Sequence, residues 1–117
     1  MAQQRRMFKV SERIREIVAS TLLYSDDQRF NLVTITAVSI SSDLREAKVY
    51  WSIPDSKERK ADVEAAFEKS ANYFRKAVAD GLDIKFVPHL TYVYDETQDT
   101  YERVQELMKK IEEEKQS

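Results

Sequence analysis

The chain has 117 residues, of which 42% are apolar, and its 19 Lys/Arg against 21 Asp/Glu give a formal net charge of −2; this is enough chain for one domain with a single core. It contains no cysteine, which excludes a disulfide framework and thiolate chemistry, and no apolar run approaches the ~20 residues of a membrane span. One histidine and one glycine leave no His/Cys metal cluster, no nucleophile–histidine–acid set and no glycine-rich phosphate loop, so a cytoplasmic protein that is not an enzyme and needs no cofactor is expected.

The net charge hides a gradient. Residues 1–60 carry 11 Lys/Arg against 8 Asp/Glu, residues 61–94 carry 4 against 5, and residues 95–117 carry 4 against 8. A basic front and an acidic tail can support one basic face on an acidic chain; unpatterned surface charge is the alternative.

Residues 5–23 are predicted to be helical, because Val10, Ile14, Ile17, Val18 and Leu22 recur at three- and four-residue steps. Arg5, Arg6, Lys9 and Arg13 concentrate positive charge at the start of this helix. They read either as phosphate contacts or as a solvated face partly neutralised by Glu12 and Glu16. Residues 24–31 hold turn formers without a period and form a loop. Residues 32–41 are rich in β-branched side chains and read as a strand. Val33 and Ile35 share one parity, Val38 and Ile40 the other, so a bulge is expected near Thr36-Ala37. A hairpin connection at 42–46 leads into a second strand, 47–53. There Ala47, Val49, Trp51 and Ile53 point inward, and Lys48, Tyr50 and Ser52 outward.

The longest periodic stretch, 56–81, places Val63, Ala66, Phe67, Ala71, Phe74 and Val78 on one helical face. Asp55 or Ser56 can cap its start, and Gly81 stands where a left-handed C-terminal residue is wanted. At its middle, Ser70-Ala71-Asn72 offers the backbone competing hydrogen bonds. Two helices meeting at a bend and one continuous helix with a small-residue notch both fit this pattern. Residues 85–94 alternate again, with Phe86, Leu90, Tyr92 and Tyr94 in phase and Pro88 favouring an edge strand or an irregular start. Residues 99–115 form a last helix striped by Val104, Leu107, Met108 and Ile111. Asp99 lies at its N-terminus, and Glu112-Glu113-Glu114 opposes the dipole at its C-terminus, where fraying is expected.

His89 reads as a surface or packing residue, not a ligand. The group Asp95, Glu96, Asp99 and Glu102 reads as an acidic loop and helix start in preference to a hard-cation site. The order of elements predicts an α+β domain with a small mixed sheet of three strands packed against helices.

Two passages carry a resemblance. Residues 38–50, Val-Ser-Ile-Ser-Ser-Asp-Leu-Arg-Glu-Ala-Lys-Val-Tyr, fit a Ser-x-Asp-Leu-x-x-Ala-x-Val-Tyr pattern through Ser41 or Ser42, Asp43, Leu44, Ala47, Val49 and Tyr50. Further on, Arg75 and the stretch 82–95 fit a second pattern through Pro88, Leu90, Tyr92 and the closing Asp95. Together, in this order and spacing, they resemble the bacterial ribosome-binding factor A family, and the likeness runs from about Lys9 to Asp95.

The resemblance implies a single KH-like (type II) domain over residues 1–95, with an acidic C-terminal helix or tail over 96–117. In place of the Gly-x-x-Gly loop of other KH domains, the family has an interhelical kink, which falls here on Ser70, Ala71 and Asn72. Asn72 stands where the family has glycine, Lys85 where it has arginine, and His89 where it has glutamate. The implied role is a non-enzymatic assembly factor that binds the immature 30S small subunit and its 16S rRNA, promotes maturation of the rRNA 5′ end and supports growth in the cold. No membrane and no small-molecule substrate are implied, and a monomer is expected. The cations expected to meet RNA phosphates are Arg5, Arg6, Lys9, Arg13, Arg45, Lys48, Arg75, Lys76 and Lys85. The alternative is a protein-interaction module that docks through its sheet edge or acidic helix without touching RNA.

Overall fold

The stripe of Val10, Ile14, Ile17, Val18 and Leu22 is buried along the first helix, α1 (Ala2–Leu23), which packs on the first strand and on the third helix. The computed structural model describes residues 2–54 and 56–116; Asp55, a candidate cap, lies outside them. After α1 come a single 3-10 turn (Gln28–Phe30), β1 (Thr34–Ile40), β2 (Glu46–Ser52), α2 (Ser56–Lys69), α3 (Ala71–Gly81), β3 (His89–Tyr94) and α4 (Thr97–Gln116). This is the α-β-β-α-α-β order of a type II KH-like domain with an added C-terminal helix. Among the described residues no helix is long and apolar enough to cross a membrane.

The sheet order is β1-β2-β3, with β1 antiparallel and β3 parallel to β2. The expected bulge is present: the register shifts between Ile35, opposite Trp51, and Ala37, opposite Tyr50. Ile35 and Ile40 are both buried although five residues apart, and only an extra residue between them lets both face the helices. On β2, Ala47, Val49 and Trp51 are buried toward the helices, while Lys48 on the other face is exposed. Trp51 joins Phe30, Phe67, Phe74, Tyr92 and Tyr94 in an aromatic cluster. Its tightest contact is Tyr92 stacked on Phe67, with centroids 4.4 Å apart and planes 11° from parallel.

Four expectations change. Gly81 does not take a left-handed conformation; it is the last residue of α3, and Leu82 N–H closes the helix on the Val78 carbonyl. Its smallness serves close packing, because a Cβ there would stand 2.6 Å from Ile17 Cδ1. The third strand begins at His89 instead of 85: Pro88 has no N–H to donate, and the first bond toward β2 is His89 N–H to the Arg45 carbonyl at 2.8 Å. Phe86 therefore lies outside the pleat and is 63% exposed. Finally, α4 stays helical to Gln116 despite its acidic end.

Candidate nucleic-acid interface

The hairpin that carries the first signature is held by its own side chains. Ser41 Oγ donates to Asp43 Oδ1 at 2.7 Å, Arg45 N–H donates to the same oxygen at 3.0 Å, and Glu46 N–H donates to Ser41 Oγ at 2.9 Å. The Ser41 hydroxyl, contributing most, and the Arg45 N–H hold the Asp43 carboxyl below the usual carboxylate range. The turn forces Leu44 to φ 62°, a left-handed value unusual for leucine, while its side chain packs against the core. Ser-x-Asp-Leu is thus a turn device, and it leaves Arg45 exposed in the hairpin connection. The sequence places a hairpin connection at 42–46, and the Ser-x-Asp spacing, read there as part of a family pattern, is the device that closes it.

The start of α1 meets this hairpin. Gln3 Nε2 donates to the Ser42 carbonyl at 3.2 Å, and Gln3, Arg6, Met7, Ser42 and Leu44 line one shallow depression. Arg5, Arg6 and Lys9 are exposed beside it. Because Glu46 lies opposite His89 in the register, the hairpin end of β1 and β2 is also the end from which β3 starts. Lys85, whose Nζ lies 5.6 Å from the Phe86 ring centroid, is on the segment that leads into it. Lys48 follows Arg45 by three positions, exposed on the open face of the sheet opposite Ser39 and Thr91. The fold therefore gathers Arg5, Arg6, Lys9, Arg45, Lys48 and Lys85 toward one end.

It does not gather all nine cations. Arg13 is compensated by Glu16, Nη1 to Oε2 at 3.2 Å. Arg75 and Lys76 are exposed on α3 just after Phe74, which packs edge-on to Phe30 with centroids 5.6 Å apart. Phe30 precedes β1, so these two cations lie toward the opposite end from the hairpin. Among the described residues Arg5, Arg6, Lys9, Arg45, Lys48, Arg75 and Lys76 enter no ion pair, and their charges are available to a partner.

The kink lies between α2 and α3. Ser70 N–H still donates to the Ala66 carbonyl at 3.0 Å, and Phe74 N–H resumes the helical pattern onto the Ser70 carbonyl at 3.2 Å. Ser70 itself leaves helical geometry at φ −96°, ψ 12°, and its side chain makes no capping hydrogen bond. Ala71 and Asn72 are exposed in the first turn of α3. The kink needs no left-handed residue, so asparagine in place of glycine at 72 is accommodated without strain.

The acidic side is structural. Asp95 accepts from Thr36 Oγ1 at 2.6 Å and from Thr97 N–H at 3.0 Å, contacts that hold its carboxyl below the usual range. Asp99 accepts from Tyr94 Oη at 2.6 Å and Ser56 Oγ at 3.1 Å. Burial, together with the hydrogen bond to Asp99, pushes the Tyr94 phenol up. No group of three or more His, Cys, Asp or Glu among the described residues is arranged to hold a metal ion. His89 is exposed. Arg59, which the sequence did not flag, donates from Nη2 to the carbonyls of Arg29 and Asn31 at 3.1 and 2.6 Å, fastening the 3-10 turn to α2.

A family model described as ribosome-binding factor A matches residues 6–108. The ribosome-binding factor A of Citrifermentans bemidjiense is 33% identical over 108 residues, covering 92% of this chain and 91% of that protein. The crystal structure of ribosome-binding factor A from Thermus thermophilus superposes with a TM-score of 0.67 at 19% identity, over 75% of this chain and 94% of that one. A homology model of the Thermus thermophilus factor, fitted into a cryo-EM map of a 30S–RbfA complex, superposes with a TM-score of 0.57 at 19% identity, over 71% and 88%.

Proposed function

The chain belongs to the ribosome-binding factor A family, and from that premise we propose that it binds the immature 30S subunit as a non-enzymatic assembly factor in the bacterial cytoplasm. It promotes maturation of the 16S rRNA 5′ end, and the need for it is greatest in the cold. Residues 1–95 form the unit that binds the subunit, and residues 96–117 an acidic appendage. The observation that carries this reading is the family match over residues 6–108, which takes in the hairpin, the kink and β3 together. The Thermus thermophilus relative fitted in a 30S complex supports the choice of subunit.

The geometry supports a division of labour within the domain. Arg5, Arg6, Lys9, Arg45, Lys48 and Lys85 neutralise phosphates from the hairpin end, and Arg75 and Lys76 contact a second stretch of backbone beside the kink formed by Ser70, Ala71 and Asn72. Such contacts give affinity that depends on salt and only weakly on base sequence. Deleting the gene from its source bacterium tests the role. The expected result is 16S rRNA with unprocessed 5′ ends and slowed growth at low temperature, both restored by the wild-type chain. Normal 5′ ends and normal growth in the cold would contradict it.

A further inference from the structure

Large exposed apolar side chains lie mainly away from the gathered cations. They form the stripe of α4, where Val104, Leu107, Met108 and Ile111 are open to solvent, and they recur at Leu23, Tyr24 and Leu32 after α1. Phe8 falls opposite the buried stripe of α1. Phe86 is different. It is 63% exposed, follows Lys85 directly, and has the Lys85 ammonium over its ring at 5.6 Å from the centroid. Over residues 41–46 and 82–89 it is the only large apolar side chain among the described residues that stays exposed. The segment that carries it is anchored on both sides: Leu82 and Val87 pack against the core, Pro88 is buried, and His89 N–H is bonded to the Arg45 carbonyl at 2.8 Å. Proline fixes its own φ and restrains the residue before it, so the chain is held immediately after Phe86. Three residues of chain keep Phe86 within about 11 Å of His89. The ring takes no part in the aromatic cluster of the core.

We propose that Phe86 stacks on one unpaired base of RNA held at the hairpin end. The inference rests on the phosphate contacts proposed above and adds what they cannot supply, a preference for single strands. A base inside a duplex has both faces covered by its neighbours, whereas an unpaired base offers a face to an aromatic ring. The Lys85 ammonium over the ring is placed for a phosphate of the same nucleotide, and Arg45, whose carbonyl anchors His89, stands further along the same path. Carboxylates lie close by. Asp80 and Asp83 precede Lys85 in the chain, Glu46 is exposed opposite His89, and Asp43 is held by Ser41 and the Arg45 N–H. The six cations gathered toward this end exceed these four carboxylates, so a polyanion is still favoured there. A lone aromatic ring among charges also suits a nucleotide better than a protein surface, whose buried centre brings several apolar side chains together.

Fluorescence anisotropy of the full chain at low salt tests the stacking. The probe is a labelled mixed-sequence RNA of about a dozen nucleotides, offered as a single strand and as a duplex with its complement. The wild type is expected to bind the single strand more tightly. Phe86→Leu keeps the apolar bulk without a π face. It is expected to weaken single-strand binding about tenfold and to leave duplex binding, the salt slope and the emission of the buried Trp51 unchanged. Phe86→Trp is expected to hold the affinity, and its exposed indole to be quenched as the single strand is added. Equal single-strand affinity in the wild type and Phe86→Leu, with binding that still falls with salt, overturns the stacking and leaves the phosphate contacts standing. Equal losses on single strand and duplex overturn it as well, because the ring then serves the fold or the phosphates. A wild type that binds neither RNA at low salt overturns both this inference and the phosphate contacts beneath it.

Discussion

Tyr92 shows how a single atom can work against a well-packed side chain. Its ring stacks on Phe67 in the core, yet its hydroxyl is buried with no hydrogen-bond partner among the described residues, and burial pushes the phenol pKa up. Tyr92→Phe keeps the stacking and removes the desolvated hydroxyl, so stability should rise by about 1 kcal/mol. Urea unfolding should show a higher midpoint at an unchanged slope, and a lower midpoint would contradict the assignment. Gly81 tests packing in the same way. Alanine is favoured over glycine inside a helix by about 1 kcal/mol, but here its Cβ meets Ile17 Cδ1. Gly81→Ala should therefore destabilise the wild-type chain and destabilise it less, or stabilise it, once Ile17→Val has removed that methyl. A double-mutant cycle of thermal unfolding reads this coupling.

Three carboxylates set the acid response. The Arg29 guanidinium, with its backbone N–H, lowers Asp27 to about 2; Asp43 and Asp95 are lowered by their hydroxyl and backbone donors. In each case the folded pKa lies below the unfolded one, so on acidification the unfolded chain takes up the proton first. Their stabilisation is complete above the unfolded carboxylate value near 3.9 and is lost as pH falls through each lowered folded value, about 2 for Asp27. The Asp27–Arg29 pair is only partly buried, so its share should shrink as salt is added. Replacing all three with asparagine should lower the urea midpoint at pH 7 and flatten its decline between about pH 4 and pH 2; a decline as steep as that of the wild type would place the acid sensitivity elsewhere.

At the scale of elements, local periodicity was enough wherever an element meets the core with a single face. The stripe of α1, the alternation of β2 and the phase change that marks the β1 bulge were all legible in the sequence. The reason for Gly81 was not, because it lies in packing against Ile17 on another helix, far away in the chain. Phe86 misled because its parity matched that of β3, while pairing could not start until Pro88 had passed. The kink was visible as an alternative but not decided, since Ser70 makes no capping bond that would favour either reading. Ser70→Ala should accordingly change stability by less than about 0.5 kcal/mol, where a true serine cap would lose about 1 kcal/mol; thermal unfolding distinguishes the two. The stripe of α4 was legible as a stripe, but its exposure was not, because periodicity marks an apolar face without saying what covers it.

At the scale of the molecule, the candidate site was half legible. The sequence named the cations, and the fold sorted them: six toward the hairpin end, Arg13 compensated by Glu16, and Arg75 and Lys76 apart beside the kink. Topology makes that division, since the seating of α1 on the hairpin and the register of β2 with β3 turn the segments that carry Arg5 and Lys85 toward the same end. The central claim is that the hairpin end holds the small subunit through phosphates. The most direct test is co-sedimentation of the chain with purified small subunits, large subunits and assembled ribosomes over a salt series, beside a variant with Arg5, Arg6, Lys9 and Arg45 replaced by alanine. The account predicts association with the small subunit, log affinity falling linearly with log salt, and a slope in the variant smaller by up to about four, roughly one unit for each phosphate no longer neutralised. Small-subunit binding by the variant with unchanged affinity and unchanged salt slope, or no association of the wild-type chain with small subunits at any salt, would contradict it.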